Sequence, residues 1–247
     1  MGFFNNLFKA KTAAYFDYTS ISVDMHSHLI PGIDDGSKSL EETKALLLKF
    51  VDLGYQKVIT TPHIMQDFYK NDRDNIYRGR DEVLALIAKE NIPIKFEAAA
   101  EHFYDDAFME RIKKKEVLTF GNQFCLLEFG FHHQPSFEDA MFFNLLSAGY
   151  QPILAHFERY HYFHGSIEKA LEYREKGISI QLNINSLSGN YGPDVKKQAV
   201  KLIQADAVDF IASDCHRMSH LDMMKSLQGN ELLQKLNLTQ LKNKDLL

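Results

Sequence analysis

Seven short apolar runs, at residues 18–23, 57–61, 94–100, 124–127, 152–155, 178–182 and 207–212, alternate along this chain with stretches of helical period. Runs of four to seven apolar residues suit buried strands, and the intervening segments are long enough for crossover helices. The helical segments carry their own punctuation. Ser39-Leu40-Glu41-Glu42 has capping-box spacing, followed by Thr43, Leu46, Leu47, Phe50 and Val51, with Gly54 as a stop. Further helices are expected over 72–89, 105–114, 137–146, 166–176 and 193–204, the last beginning at Pro193, with helix again from residue 221. Repeated strand and helix imply a parallel sheet with both faces covered.

The ends of these runs narrow the choice. His26 and His28 follow the first, His63 the second, Glu101 the third, Glu128 the fourth, His156 the fifth, Asn183 and Asn185 the sixth, and Asp214 and His216 the seventh. In a closed βα barrel the C-terminal strand ends converge on one face, where chemistry sits. An open doubly wound sheet gathers only those beside its switch point. The pattern therefore favours an α/β fold of the barrel kind, a distorted seven-stranded (β/α) TIM-like barrel. Asp24, His26 and His28 sit two apart and share a face if the strand continues through them.

A lone buried His or Glu is more often a satisfied structural residue than a ligand. Five imidazoles (His26, His28, His63, His156, His216) and three carboxylates (Glu101, Glu128, Asp214) at strand ends are too many for one tetrahedral zinc. They suit two or three ions with a bridging carboxylate. Without thiolate ligands the donors point to Mn2+, Fe or Zn2+. Paired metals activate water and clamp both oxygens of a phosphoryl displacement. Arg159, three residues beyond His156, could neutralise the outer phosphate oxygens, or form a surface pair with Glu158.

Other chemistries are excluded by spacing. Six residues beyond Cys125 and Cys215 stand Phe131 and Leu221, not the arginine of a cysteine phosphatase. Gly32 and Gly36 are too close for a P-loop, and no Gly-x-Ser-x-Gly elbow occurs. The net charge of −5 argues against a nucleic-acid partner. Two cysteines, no transmembrane-length run and no secretory leader suit a cytoplasmic protein without stable membrane insertion. With no Gly/Ser/Pro-rich linker, residues 21–247 are read as one domain behind an N-terminal arm, residues 1–20. Phe3, Phe4, Leu7 and Phe8 in that arm suit a frayed or packing segment better than a membrane-surface helix. Whether the chain forms a homo-oligomer is left open by its sequence.

Asp24-x-His26-x-His28, Thr61-Pro62-His63, Glu101, Glu128, His156 and Ser213-Asp214-x-His216, in this order, resemble the polymerase-and-histidinol-phosphatase (PHP) superfamily. The strings from His26 to Gly36, from Thr60 to His63, and His156-x-Glu158-Arg159-Tyr160 are similar to the manganese-dependent protein-tyrosine phosphatases of bacterial capsule and exopolysaccharide loci. That resemblance spans roughly residues 22–216. It implies a distorted seven-stranded barrel with a trinuclear centre. Its ligands would be His26, His28, His63, Glu101, Glu128, His156, Asp214 and His216, with Glu101 as the bridge and Mn2+ as the metal. It implies roles in catalysis for Arg159, Asp214 and His216, with Arg159 binding phosphate; the second phosphate-binding arginine of the family is not at its expected spacing after His216, and Arg217 is a substitute by position only. The implied substrate is the phosphotyrosine tail of an autophosphorylating tyrosine kinase that governs polysaccharide export.

Departures from the family pattern fall on the pocket wall: Phe157 for a usual proline, Cys215 for a smaller residue, His102-Phe103 after Glu101, and His132-His133 near Glu128. Tyr69, Tyr77, Tyr104, Phe157 and Tyr160 are candidates for the mouth, although aromatics at such spacing usually pack. Two readings compete with the phosphatase. One is a small-molecule phosphomonoesterase of the histidinol-phosphatase kind. The other is a non-catalytic, metal-binding regulator of the kinase. Turnover of a phosphopeptide separates them.

Overall fold

The computed structural model describes residues 15–247; the Phe-rich stretch of the arm lies outside the described residues. The elements are β1 (Val23–Asp24), α1 (Leu40–Leu53), β2 (Lys57–Thr60), β3 (His63–Ile64), α2 (Arg73–Glu90), β4 (Lys95–Ala98), β5 (Glu101–Phe103), α3 (Asp106–Lys114), β6 (Phe124–Glu128), α4 (Glu138–Ser147), β7 (Gln151–Leu154), α5 (Glu168–Glu175), β8 (Ser179–Asn183), α6 (Pro193–Gln204), β9 (Phe210–Ala212), α7 (Met218–Leu227) and α8 (Glu231–Gln234). Capping explains several boundaries. Ser39 accepts the Glu42 N–H at the start of α1, and Gly54 closes that helix at φ 97°. Asp72 and Asn75 form a reciprocal capping box on α2.

Every strand pair is parallel, in two curled arrays ordered β1-β2-β4 and β3-β5-β6-β7-β8-β9. An isolated parallel bridge between Ser27 and Cys215 joins the first strand position to the last. Nine strands form among the described residues; the two beyond the seven expected, β3 and β5, follow the second and third runs past the points where those were expected to stop. Pro62, which lacks an N–H, separates β2 from β3. The Glu101 N–H, at the start of β5, is shared between the carbonyls of Thr61 and Pro62. The first expected run also differs. Residues Tyr18–Ser20 form a 3-10 turn, Ser22 takes φ 59°, and only Val23–Asp24 is strand.

Alternation along the strands divides the interior. Ile59, Leu126, Ile153 and Phe210 point into one cluster with Val23, Met25 and Ala99. Their neighbours Val58, Leu127, Leu154 and Ile211 point to the layer under the helices, with Leu46, Leu47 and Phe50 of α1. Burying each such side chain stabilises the fold by about 1.5–3 kcal/mol. Phe16 and Tyr18 join the outer layer, where the Tyr18 hydroxyl donates to the Met224 carbonyl.

A terminal 3-10 turn, Asn243–Leu246, closes the end of the sheet remote from the strand C-termini. The Asn243 amide donates to the carbonyls of Val23 and Ile211 and accepts the Ile211 N–H, while Lys57 donates to the Leu246 carbonyl. Leu246 packs in the inner cluster beside Phe124 and Phe210. No helix among the described residues is long and apolar enough to cross a membrane.

Candidate metal centre

His26 and His28 are fixed by backbone ties to the last strand position. The Asp214 N–H donates to the His26 carbonyl at 2.9 Å, and the His28 N–H donates to the Cys215 carbonyl at 2.8 Å. Both imidazoles are fully buried. The loop after His28 folds back over it, with Asp34 Oδ2 2.8 Å from His28 Nδ1 and 3.1 Å from the His63 N–H. That return needs glycine at position 36, because a Cβ there would lie 2.1 Å from the His28 carbonyl oxygen.

Glu101 is the hub. Its Oε1 lies 2.9 Å from His156 Nε2, and its Oε2 lies 3.1 Å from His26 Nε2, 3.1 Å from His63 Nδ1 and 3.5 Å from His28 Nε2. Glu128 Oε1 lies 3.1 Å from the same His63 Nδ1. Asp214 Oδ1 lies within 3.5 Å of His26 Nε2, His28 Nε2 and His216 Nδ1. All eight strand-end candidates thus meet around one face. Four overlapping groups have donor atoms within 4.8 Å of one another: His28/Asp35/His63/His216, His26/His28/Asp214, His26/Glu101/His156 and His63/Glu101/Glu128.

The donors fit a divalent cation on two grounds. His63 Nδ1, Glu101 Oε2 and Glu128 Oε1 are buried without a hydrogen-bond partner, although His63 Nδ1 lies 3.1 Å from each of the two carboxylate oxygens. Close approach without alignment is how ligands sit around a shared ion. Further, His26 Nε2 and His28 Nε2 face each other at 3.3 Å, while both Nδ1 atoms contact outward acceptors, Gln181 and Asp34. In the neutral rings two lone pairs then oppose each other, and only positive charge between them removes the conflict.

The electrostatics carry the same demand. Burial opposes the charge on His26, yet Glu101 and Asp214 push its pKa up to about 9. Burial likewise opposes ionisation of Glu101 and Asp214, but His26 and its neighbours hold both carboxyls well below the usual range. Two of the meeting residues, His156 at φ 33° and Asp214 at φ 49°, take the left-handed backbone that non-glycine residues rarely adopt. The turns that follow β7 and β9 aim both side chains inward at that cost.

Arg159 stands on the 3-10 turn Phe157–Arg159. Its guanidinium lies 4.3 Å from the Phe131 ring and 4.8 Å from the Tyr191 ring, and Nη1 donates to Asp214 Oδ2 at 3.1 Å. The alternative pair with Glu158 does not form. Glu158 is buried, accepts from the Asn183 N–H and the Ser186 hydroxyl, and is pushed by burial up to about 7. Arg159 lines a cavity of about 410 Å³ with Met65, Phe131, Tyr191, Arg217 and the centre.

Several expectations are redirected. Asp24 does not join His26 and His28; its carboxylate accepts the Ser213 N–H and hydroxyl, tying first strand to last. Phe157 and Tyr160 are core residues rather than mouth residues, with the Tyr160 hydroxyl accepting the Phe129 N–H. Tyr104 donates to the Ser136 carbonyl and Tyr77 packs under Arg80, whereas Tyr69 does stack on His63. Asp35, half exposed, reaches His63 and His216 at 3.6 and 3.4 Å and was not foreseen, although it follows directly in the His26–Gly36 string. Gln181, Asn183 as a contact of Asp214, Phe131 and Tyr191 were also missed.

The family model described as "Capsular polysaccharide synthesis, CpsB/CapC" matches residues 22–235. The tyrosine-protein phosphatase YwqE of Bacillus subtilis is 28% identical over 197 residues, covering 79% of this chain and 78% of its own length. The tyrosine-protein phosphatase CpsB of Streptococcus pneumoniae is 28% identical over 202 residues, covering 79% and 83%. A solved structure from work on YwqE and CpsB, described there as unique metal-dependent tyrosine phosphatases, superposes with a TM-score of 0.76 at 26% identity, over 90% of this chain and 95% of that one. A lactonase from Listeria monocytogenes, at 12% identity and a TM-score of 0.55, shares the fold.

Proposed function

This chain belongs to the CpsB/CapC family of capsular polysaccharide synthesis, and from that premise we propose that it is a metal-dependent protein-tyrosine phosphatase. The observation that carries the reading is the meeting of His26, His28, His63, Glu101, Glu128, His156, Asp214 and His216 beside a cavity that all but the buried His26 and His28 line together with Arg159. The named relatives YwqE and CpsB are tyrosine-protein phosphatases, and the substrate class follows from them. The phosphotyrosine would lie on the tail of an autophosphorylating kinase that controls capsule or exopolysaccharide export, acting in the cytoplasm.

The eight strand-end residues would hold two or three ions, with Asp35 a further donor at the open side. Imidazole and carboxylate without thiolate favour Mn2+ over a structural zinc, with Fe or Zn2+ as the alternatives. When bound, the ions supply Lewis-acid charge to the phosphoryl oxygens and lower the pKa of water. The chain's own work is positioning. Arg159, held flat between Phe131 and Tyr191, uses one of its five donors on Asp214 and offers the others to phosphate oxygens. Arg217, on the same cavity, is the second contact. A tyrosine phenol, with a pKa of about 10, leaves more readily than an alkoxide. We read residues 21–247 as one domain, and the strand positions as a distorted seven-stranded barrel; the Ser27–Cys215 bridge supports closure.

The test is a panel of a tyrosine phosphopeptide, histidinol phosphate and a phosphosugar, each with protein reconstituted with Mn2+, Fe2+ or Zn2+. Preferential, chelator-sensitive and vanadate-tolerant hydrolysis of the phosphopeptide is expected. Preference for histidinol phosphate would move the protein to the small-molecule class. Full metal occupancy with all three esters intact would leave only a regulator.

A further inference from the structure

β8 sends no His, Asp or Glu into the centre, yet it lies against it through two buried amides, Gln181 and Asn183. Gln181 Oε1 accepts the backbone N–H of His156 at 2.9 Å. A backbone N–H can only donate, so this contact fixes which end of the Gln181 amide is oxygen. The same oxygen lies 3.1 Å from His26 Nδ1, which must therefore carry the proton. Gln181 Nε2 donates to Asn183 Oδ1 at 2.8 Å, and Asn183 Nδ2 is left to donate to Asp214 Oδ2 at 2.7 Å. Asp214 Oδ2 also receives Arg159, so Oδ1 is the oxygen turned to His26, His28 and His216. Asn183 is held from behind by its N–H to Glu158.

We infer that Gln181 and Asn183 are positioning residues for the metal centre: a directional amide relay that starts at one backbone N–H, fixes the His26 tautomer with Nε2 free for an ion, and selects Oδ1 of Asp214 as the free ligand oxygen. The inference rests on the metal-centre reading and adds to it the device that orients two of its ligands, His26 and Asp214. Outer contacts of this kind typically change metal affinity by about 10–100-fold.

The experiment is Mn2+ affinity by competition with a fluorescent chelator, for wild type, Gln181→Met and Gln181→Glu, with metal-free melting temperatures alongside. Methionine keeps the volume and removes both the acceptor and the donor; glutamate restores the acceptor facing His26 and His156 but not the donor to Asn183. Gln181→Met should bind about 10–100-fold more weakly than wild type, with Gln181→Glu falling between the two. Equal affinity of wild type and Gln181→Met overturns the relay, as does a Gln181→Glu as weak as Gln181→Met. Wild type that binds no Mn2+ overturns the metal reading and the relay together. Should Gln181→Met fail to fold, imidazole nitrogen NMR of zinc-loaded wild type decides: a proton on Nδ1 of His26 is expected, and metal on Nδ1 overturns the relay.

Discussion

Glu101 and His102 are consecutive residues of β5, 1% and 0% exposed, and they inhabit opposite electrostatic worlds. Glu101 points among four imidazoles, which hold it ionised in spite of its burial. His102 points the other way, under α3, and stacks on Phe108 with ring centroids 5.0 Å apart. Its Nε2 accepts the Leu118 N–H at 3.2 Å, and burial together with Arg111 holds its pKa down to about 3. His26 is just as buried, yet is pushed up to about 9. Burial alone therefore says little about whether a histidine carries charge; the face of the strand decides. One face is a polar chamber that demands cations, and the other is an apolar layer that rejects them.

The comparison breaks most visibly on the chamber side. Glu101→Gln keeps the shape and removes the charge shared by four histidines. It should lower kcat/KM on a tyrosine phosphopeptide by at least about 10³-fold, with metal content falling in elemental analysis. Wild-type metal content in this variant would remove Glu101 from its place as hub. Arg159→Ala should cost about 10²-fold in kcat/KM while the metals stay bound, because Arg159 touches the centre only through Asp214 Oδ2. Unchanged kinetics would leave it a mere partner of Asp214.

The outer layer sharpens the contrast through pH. His102 stays neutral in the fold down to about 3, while in the unfolded chain it takes up a proton near its ordinary value. The unfolded state thus binds more protons between about pH 6.5 and 3. Stability from this site is complete above that window and is lost as pH falls through it, at about 1.4 kcal/mol per pH unit. In metal-free protein, His102→Phe should flatten the acid side of a plot of denaturant midpoint against pH. An unchanged slope would show that His102 is not held neutral.

Much of this was legible in sequence because it is local. Each of Glu101, Glu128 and His156 stands directly after an apolar run, His63 one residue beyond its run, and strand ends in parallel βα units share one face. The helix stops at Gly54, and the Pro193 start, are likewise carried by single residues. What escaped depends on distance in the chain. Asp24 is expected by alternation to share a face with His26 and His28, but Ser213, 189 positions away, holds its carboxylate instead. Gln181 carries no chemical signature of its own; its meaning comes from one N–H across the next strand. Phe131 and Tyr191 flank Arg159 from two separate loops, and no periodicity joins them.

The tie between Asp24 and Ser213, with Asn243 locking behind it, has a consequence for biosynthesis. At about 5–20 residues per second, a ribosome needs on the order of ten seconds or more between these two points. For most of that interval the nascent chain carries His26, His28 and His63 without Asp214 and His216 to complete the group around them. Complete ion loading is therefore expected only once Asp214 and His216 have been made, and a product terminated before Asp214 would keep the early histidines but lack the enclosure.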